Sequence, residues 1–363
     1  MESVVVNKLF WKDKKVLITG HSGFKGSWLS LWLSECGSRV TGLALPPSTI
    51  PSLFEDVNVS SEITSIYGDV RDLALIKSVM NEFKPEIVFH LAAQALVKYS
   101  YNNPVETYSS NVMGTVNIME AVRCSDSVRV LVNITSDKCY ENREWAWGYR
   151  EIEPMGGYDP YSSSKGCAEL VTAAYRNSYF SNYNNGSRSI AVATARAGNV
   201  IGGGDWSEDR LVPDIMRAFI EKRPVIIRNP DAIRPWQHVL EPLSGYLLLA
   251  EKLWVDAPRF AEAWNFGPAD NDAKPVLWIV ENLVRAWGDG ASWQNDKTAQ
   301  PHEARYLKLD CSKAVQQLGW LPRLDLASAL QWTTDFYKLY KQNGNIRMLI
   351  SDQIFKYDGM KSQ

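Results

Sequence analysis

The sequence has 363 residues, of which 45% are hydrophobic and 22% are charged, and its formal net charge at pH 7 is −2. This length is typical of two lobes rather than one core, and a nearly neutral chain lacks the charge expected for binding nucleic acid or an anionic membrane. No apolar run approaches the length of a membrane span, and the valines at positions 4–6 are too few for a secretory signal.

The cysteines and histidines argue against stabilisation by disulfides or by a metal. Five cysteines are scattered along the chain without a CxxC pair, and the four histidines lie far apart. The cysteines are Cys36, Cys124, Cys139, Cys167 and Cys311. An odd number without metal-ligand spacing is typical of a protein in a reducing compartment. We therefore expect a cytoplasmic protein without a metal site.

The first half of the chain alternates apolar runs with helical patterns. Residues 15–19 predict a strand, and residues 25–36 predict a helix that buries Trp28, Leu29, Trp32 and Leu33. Further strands are predicted over 39–45, 86–91, 128–135 and 189–197, and helices over 75–83, 111–122 and from the cap at Asp159 and Pro160 to about Tyr179. This alternation predicts an α/β fold with a Rossmann-type, doubly wound parallel sheet.

The pattern is less regular after Asn199. We predict a loop over 202–205, a helix over 211–220, a strand over 224–227, a helix over 241–254 and a strand over 264–266 that returns to the large sheet. The sequence therefore predicts a dinucleotide-binding domain and a smaller, mixed C-terminal substrate lobe. The domain would comprise residues 1–198 and 240–266, and the lobe residues 199–239 and 267–363.

A glycine-rich loop joins the first predicted strand to the first long helix. Gly20 permits a tight turn, Gly23 lets a pyrophosphate approach the backbone, and Gly26 lets the helix pack on the strand. The loop predicts dinucleotide binding by Gly20, His21, Gly23, Phe24, Lys25 and Gly26. Asp69 and Val70 suit contact with the adenine, and Ala92 and Ala93 suit a shelf for the ribose or nicotinamide.

The second strand lacks the acidic residue that commonly binds the ribose 2′-hydroxyl of NAD. It ends in Leu43, Ala44 and Leu45 instead. We predict NAD as the cofactor with NADP as an alternative, because Lys25 or Arg39 would favour a 2′-phosphate. The missing carboxylate also predicts loose retention of the cofactor.

The pair of Tyr161 and Lys165 predicts the type of reaction that the protein catalyses. Their i, i+4 spacing places both side chains on one face of a helix. An unperturbed tyrosine has a pKa of about 10, and a neighbouring ammonium group lowers it toward neutrality. Beside a dinucleotide loop, the pair predicts proton removal from an alcohol coupled to hydride transfer.

With these features the sequence resembles the extended short-chain dehydrogenases/reductases. Ser136 and Asp137 match the hydroxyl residue and the aspartate of nucleotide-sugar 4,6-dehydratases, whereas Lys138 stands where those enzymes have a glutamate. The lysine and the motifs at 196–199 and 234–238 narrow the resemblance to the dehydratases of CDP-glucose, over nearly the whole chain. The nucleotide base follows from this resemblance and from no spacing argument.

The resemblance implies an internal redox cycle that uses NAD and regenerates it. Tyr161, with Lys165 beside it, takes the proton of the glucose 4-hydroxyl, and either Ser136 or Thr135 binds that hydroxyl. Asp137 is the acid for the departing 6-hydroxyl. Water leaves across carbons 5 and 6, and hydride returns to carbon 6 to give CDP-4-keto-6-deoxyglucose.

Lys138 has two possible roles in this cycle. Burial beside Lys165 would depress its pKa enough for it to take the carbon 5 proton, because desolvation and like charge act in the same direction. Alternatively, its charge stabilises the enolate while a water carries the proton. We slightly favour the first hypothesis.

Cations are expected to bind the substrate diphosphate. Arg234 is the first candidate and Arg305 the second, because a guanidinium group binds phosphate oxygens bidentately. The resemblance adds Asn199 and the segment from Arg210 to Pro213 as substrate-lining residues. We interpret His21 and His238 as loop or packing residues. Likewise, Trp28, Trp32, Trp145 and Trp147 are interpreted as core or lobe-interface residues.

The leading function is an NAD-dependent dehydratase in the synthesis of deoxygenated surface sugars, such as those of lipopolysaccharide O-antigens. Another nucleotide-sugar dehydratase, epimerase or reductase is the alternative, although Asp137 beside Lys138 argues against a plain 4-epimerase. A silent dinucleotide-binding regulator is a third possibility, which the Tyr161 and Lys165 pair disfavours. We expect a nucleotide-sugar substrate, no nucleic-acid or membrane partner, and a homodimer or homotetramer built on helices of the large lobe.

Overall fold

A computed structural model describes residues 6–181, 189–296 and 307–360. Its strands are β1 Lys15–Thr19, β2 Arg39–Ala44, β3 Thr64–Tyr67, β4 Ile87–His90, β5 Val130–Ile134, β6 Ala191–Ala197, β7 Asn199–Ile201, β8 Val225–Ile227, β9 Ile233–His238, β10 Ala263–Phe266, β11 Ala273–Pro275 and β12 Trp293–Asn295. Its α-helices are α1 Lys8–Trp11, α2 Phe24–Glu35, α3 Leu53–Asp56, α4 Leu73–Phe83, α5 Val97–Asn102, α6 Pro104–Tyr108, α7 Gly114–Arg123, α8 Pro160–Tyr175, α9 Leu211–Ile220, α10 Leu240–Val255, α11 Ala257–Phe260, α12 Val276–Trp287, α13 Leu326–Lys341 and α14 Ile346–Gly359.

Seven parallel strands form the central sheet in the order β10-β6-β5-β4-β1-β2-β3. The order reverses between β1 and β4, so a crevice opens there at the carboxyl ends of the strands. The predicted doubly wound sheet is confirmed. The prediction that the strand over 264–266 returns to this sheet is also confirmed, because β10 pairs with β6.

Both faces of the sheet are covered by apolar side chains. Successive residues of a strand point to opposite faces, and β1 shows this alternation. Ile18 packs in the core that contains Trp28 of α2, whereas Leu17 packs in the core that contains Ile76 of α4. A parallel sheet buried on both faces explains why its strands read as continuous apolar runs.

Helix α8 begins where the sequence predicts. The Asp159 carboxylate accepts a hydrogen bond from the Ser162 amide at 2.9 Å, and Pro160 occupies the first helical position. The α-helix ends at Tyr175 and a π-helical turn, Arg176–Phe180, continues it. A second π-helical turn, Ser109–Met113, precedes α7, so the helix predicted from residue 111 starts in a wider turn.

The remaining strands form two small sheets. In one, β9 pairs in parallel with β7 and antiparallel with β11, and in the other β8 pairs in parallel with β12. This mixed arrangement agrees with the predicted smaller lobe, whose boundaries stay a prediction. The last helix, α14, packs beside α2, with the rings of Tyr357 and Trp32 5.7 Å apart.

Two bulk properties can be read from the described residues. Every helix in them is too short or too polar to cross a lipid bilayer. All five cysteines are free thiols.

Candidate active site

The glycine loop is shaped by close backbone packing. Gly20 has a φ of 80°, and a Cβ there would lie 2.8 Å from the Ala92 nitrogen. A Cβ on Gly26 would lie 2.1 Å from the Gly20 carbonyl oxygen. A Cβ on Gly23 would meet only that same oxygen, at 3.4 Å. Gly20 and Gly26 are therefore required by the fold, whereas Gly23 leaves open space beside the loop.

The start of α2 fits an anionic group. Gly23 is the N-cap residue, so no side chain caps the first amides, and the first turn carries no acidic residue. Free amides and the positive end of the helix dipole attract phosphate. The loop and helix together would hold the diphosphate of a dinucleotide.

The His21 side chain is a packing group, as predicted. It is fully buried, and a Cβ on Gly42 would lie 2.2 Å from its Cγ. Its Nε2 lies 2.7 Å from the Ser65 hydroxyl, and burial lowers its pKa to about 4. Only the backbone of His21 therefore remains for the predicted contact with a cofactor.

The prediction that Lys25 or Arg39 would favour a 2′-phosphate is wrong. Arg39 begins β2, at the sheet edge opposite the glycine loop, and pairs with Asp13 at 3.3 Å. Lys25 lies among catalytic candidates instead. Burial lowers its pKa to about 7, and the charges of Arg210 and Lys165 act in the same direction.

The other predicted cofactor residues follow β3 and β4 at the same edge as Gly20. The Asp69 carboxylate accepts hydrogen bonds from the Arg71 amide and Nε, both at 2.8 Å. Val70 packs on Gly114, where a Cβ would lie 2.8 Å from its Cγ2. Ala92 and Ala93 follow β4, and the Ala92 amide donates to the Thr19 hydroxyl at 3.2 Å. Their roles toward a cofactor stay predictions.

Ser136, Asp137 and Lys138 lie in a tight turn at the carboxyl end of β5. The Ser136 hydroxyl accepts from the Lys138 amide at 3.2 Å and donates to the Asp137 carboxylate at 3.0 Å. Ser136 and Asp137 are buried, and Lys138 is half-buried. A Cβ on Gly198 would lie 3.2 Å from Asp137 Oδ2, so the absence of a side chain there makes room for the carboxylate.

The electrostatics of Tyr161 differ from the prediction that Lys165 lowers its pKa. Burial, the largest effect, raises the pKa of Tyr161, while a hydrogen bond with the Ser136 hydroxyl and the charge of Arg210 lower it. The Lys165 ammonium donates to the Ile134 carbonyl at 3.4 Å. Burial also lowers the pKa of Lys165, to about 8. The sequence spacing was informative, but desolvation of both groups was not anticipated.

The proximity of Lys138 to Lys165 stays a prediction. The charge of Lys165 lowers the pKa of Lys25. The turn that follows Ser136 leaves Lys138 half-buried, whereas Lys25 enters from the first turn of α2.

Thr135 points away from Ser136, because neighbouring residues of an extended segment face opposite sides. Its hydroxyl donates a short hydrogen bond to the buried Glu169 carboxylate. Glu169 also binds Arg196, with Nε at 2.9 Å and Nη2 at 2.7 Å. Thr135 was predicted as an alternative ligand of the substrate hydroxyl. The Thr135 hydroxyl is engaged by Glu169, so of the two predicted ligands Ser136 is the one whose hydroxyl contacts Tyr161; the substrate contact itself stays a prediction.

The predicted substrate residues fall at several places. Arg210 precedes α9 and donates to the Asp205 carboxylate at 3.1 Å, and its charge acts on Tyr161. Asn199 begins β7, and Arg234, which is buried, lies on β9 and donates to the Ile233 carbonyl at 3.0 Å. Arg305 lies outside the described residues.

The aromatic predictions are mostly confirmed. His238 is fully buried, with Trp28 and Trp332 at its edges, and Trp28 and Trp32 are core residues. Trp145 packs on Tyr149 with ring centroids 5.2 Å apart. Trp147 is the exception, because 60% of it is exposed.

Sequence reasoning missed two buried acids of the site. Asp205 holds Arg210, and its only signal was its place in a glycine-rich loop. Glu169 stands four residues after Lys165, so the same helical spacing that selected Tyr161 and Lys165 could have found it.

The doubly wound sheet, the glycine loop and the buried serine, tyrosine and lysine define an extended short-chain dehydrogenase/reductase. The family model described as GDP-mannose 4,6 dehydratase matches residues 17–333, and the chain belongs to that family.

Two sequence relatives of the chain are 4,6-dehydratases of nucleotide-activated glucose. The chain is 56% identical to the CDP-glucose 4,6-dehydratase of Salmonella typhimurium, over 97% of this chain and 98% of the relative. It is 24% identical to a dTDP-glucose 4,6-dehydratase of Xanthomonas campestris, over 88% of this chain and 92% of the relative.

Solved structures agree on the fold. The dTDP-glucose 4,6-dehydratase of Bacillus anthracis, solved in complex with NAD, is similar with a TM-score of 0.73 and 20% identity, over 91% of this chain and 98% of the other. The UDP-glucose 4-epimerase of Thermotoga maritima is similar with a TM-score of 0.76 and 20% identity, over 90% of this chain and 99% of the other.

Proposed function

We propose that this protein is an NAD-dependent hydro-lyase that converts CDP-glucose to CDP-4-keto-6-deoxyglucose, for the synthesis of deoxysugars. The observation that carries the proposal is that Ser136 contacts both Asp137 and Tyr161, at the carboxyl edge of the sheet that also carries a glycine loop suited to a dinucleotide. The high identity to a CDP-glucose 4,6-dehydratase along almost the whole chain supports the choice of nucleotide.

The glycine loop and the uncapped start of α2 would hold the diphosphate of NAD. When bound, NAD supplies a hydride acceptor for carbon 4 and returns the hydride at carbon 6. The residues predicted to bind it lie in the glycine loop, after β3 and β4, and on α8: Gly20, His21, Gly23, Phe24, Lys25, Gly26, Asp69, Val70, Ala92, Ala93, Tyr161 and Lys165. We propose NAD rather than NADP, because the similar dTDP-glucose 4,6-dehydratase of Bacillus anthracis was solved in complex with NAD.

Tyr161 is proposed as the base that takes the proton of the 4-hydroxyl. Burial opposes the phenolate, so catalysis needs groups that stabilise it. The Ser136 hydroxyl and the charge of Arg210 act in that direction. Ser136 is also proposed to bind the developing 4-keto oxygen.

Asp137 is proposed as the acid that protonates the departing 6-hydroxyl. Its neighbour Lys138 is proposed to act at carbon 5, once the 4-keto group has acidified the proton there. A free amine would take that proton directly, while an ammonium would stabilise the enolate as a water carries the proton. Asn199, Arg210, Arg234 and Arg305 are the proposed substrate-binding residues.

We also propose a cytoplasmic homodimer or homotetramer. Free cysteines support a reducing compartment. Large apolar side chains exposed along the helices of the large lobe support assembly through those helices: Val105 is 82%, Met113 51% and Leu170 60% exposed. Sedimentation of the purified protein would test the assembly.

Incubation of the purified protein with CDP-glucose and NAD tests the reaction. We expect a product with the alkaline absorbance of a 4-keto sugar and no net reduction of NAD. Parallel incubations with dTDP-, UDP- and GDP-sugars test the nucleotide. A product that is only epimerised at carbon 4, or a keto product from another nucleotide sugar alone, would contradict the proposal.

A further inference from the structure

A buried ion pair lies behind the proposed catalytic residues. The Glu169 carboxylate accepts hydrogen bonds from Arg196 Nε and Nη2, and the two side chains are only 5% and 4% exposed. Glu169 belongs to α8, which also carries Tyr161 and Lys165, and Arg196 belongs to β6. Removing two charges from water is costly, so such a pair calls for a reason beyond stability.

The ion pair holds both flanks of the turn that carries Ser136, Asp137 and Lys138. On one flank, the Thr135 hydroxyl donates to the Glu169 carboxylate. On the other flank, Arg196 Nη1 donates to the Tyr140 hydroxyl at 2.7 Å. The residues at both ends of the turn, Thr135 and Tyr140, are therefore bound to the same ion pair.

The flank at Tyr140 is anchored further. Its hydroxyl donates to the Asn265 amide oxygen at 2.8 Å, and Asn265 lies on β10. Arg196 Nη1 also donates to the Glu151 carbonyl at 3.1 Å. The turn, β6, β10 and α8 thus share one hydrogen-bond network.

The same carboxylate acts on Lys165, one helical turn earlier. Burial lowers the pKa of Lys165 to about 8, while the charge of Glu169 raises it. From the other elements, Lys165 faces Lys25 of α2 and His90 of β4, whose pKa values its charge lowers. Glu169 is the negative partner on the helix of Lys165 itself.

We propose that Glu169 and Arg196 are positioning residues for the dehydration: they fix the Ser136–Lys138 turn against α8. The inference rests on the proposed function. A fixed turn is required because hydroxyl, acid and base must all meet one sugar ring, and misplacement by about 1 Å costs on the order of 100-fold in rate.

The test removes the two hydrogen bonds that flank the turn and leaves the ion pair between Glu169 and Arg196 intact. Thr135→Val and Tyr140→Phe each remove one hydroxyl with little change of shape. We expect the double variant to lose kcat by about 10- to 100-fold with KM for CDP-glucose within about threefold. Thr135→Ser, which keeps the donor, should restore most of the loss caused by Thr135→Val.

Thr194→Val is the matched control. The Thr194 hydroxyl donates to the same carboxylate at 2.7 Å, but from β6, away from the turn. We expect its kcat to stay within about twofold of the unaltered protein. Equal losses in Thr194→Val and in the flank variants would overturn the positioning role, because the bonds would then matter only for general stability.

A separate outcome tests the proposed function on which the inference rests. If the unaltered protein fails to dehydrate CDP-glucose, the proposed function fails instead, which separates the two failures.

Discussion

Asp205 holds Arg210, whose charge acts on Tyr161, the proposed base: the Arg210 guanidinium donates to the Asp205 carboxylate at 3.1 Å, and Asp205 is buried. Tyr337 of α13 donates to the Asp205 carbonyl at 2.5 Å, so the acid is itself anchored to the C-terminal part of the chain. The charge of Arg210 lowers the pKa of Tyr161. Tyr337 thus helps to stabilise the Tyr161 phenolate from the C-terminal region, because it anchors Asp205 and Asp205 holds Arg210.

Replacing Asp205 with asparagine should release Arg210 and raise the pKa of Tyr161. Since the base must be deprotonated, we expect the acid limb of the kcat/KM profile to move to higher pH and kcat at neutral pH to fall by about 10-fold. Asp209→Asn is the control. Asp209 lies in the same loop as Asp205, but it pairs with the exposed Lys98, at 2.8 Å. An identical change in both variants would contradict the role of Asp205.

Ser136→Ala should remove the hydrogen bond that offsets the burial of Tyr161. We expect kcat to fall by about 100-fold, the usual cost of losing a donor to a developing oxyanion. Single-turnover reduction of NAD, followed at 340 nm (the absorbance of the reduced coenzyme), measures the oxidation step. Ser38→Ala, whose hydroxyl donates to the Trp11 carbonyl at 2.8 Å far from the site, should leave that rate unchanged.

Lys138→Met should separate the two halves of the reaction. Oxidation at carbon 4 should persist, because Tyr161 and Ser136 are unaltered, while exchange of the carbon 5 hydrogen with solvent slows. Mass spectrometry of the product formed in deuterium oxide measures that exchange. Normal turnover in this variant would remove Lys138 from the mechanism.

Lys25→Met should stabilise the protein most at low pH. Burial lowers the pKa of Lys25 from 10.5 to about 7. Below pH 7 the folded state holds a buried charge, and between pH 7 and 10.5 it releases a proton that the unfolded state keeps, so the penalty shrinks as pH rises. We expect a gain on the order of 1–3 kcal/mol in the free energy of unfolding at pH 6.

Urea unfolding at pH 6 and pH 9 measures this difference for Lys25→Met. The exposed Lys12 provides the control, since Lys12→Met should change the free energy of unfolding equally at both pH values. A gain for Lys25→Met that is larger at pH 9 would contradict the sign of the burial effect.

The parts of the site that follow from local pattern were predictable. The loop from Gly20 to Gly26, the cap at Asp159 and the i, i+4 pair of Tyr161 and Lys165 are each contained within a few residues. Local pattern could not reveal that the charge of Arg210, which lies 185 positions further along the sequence, acts on Lys25.

Side-chain direction and burial were the other failures of local reasoning. From the sequence alone, Thr135 and Ser136 are equivalent hydroxyl donors. In the structure, the extended backbone directs their side chains to opposite sides. The pairing of Glu169 with Arg196 joins a helix to a strand 27 residues later, so it depends on the packed sheet. The pKa of Tyr161 likewise depends on burial, which spacing alone does not report.

The pairing of β10 with β6 limits where the chain can be cut to produce the dinucleotide-binding domain as a separate fragment. A fragment that stops at residue 198 would leave β6 as an uncapped outer strand, with its backbone amides and carbonyls open to any other extended peptide. Such a fragment should self-associate during expression rather than remain monodisperse. Attempts to produce the nucleotide-fold half alone should therefore graft residues 240–266 back onto it through a linker.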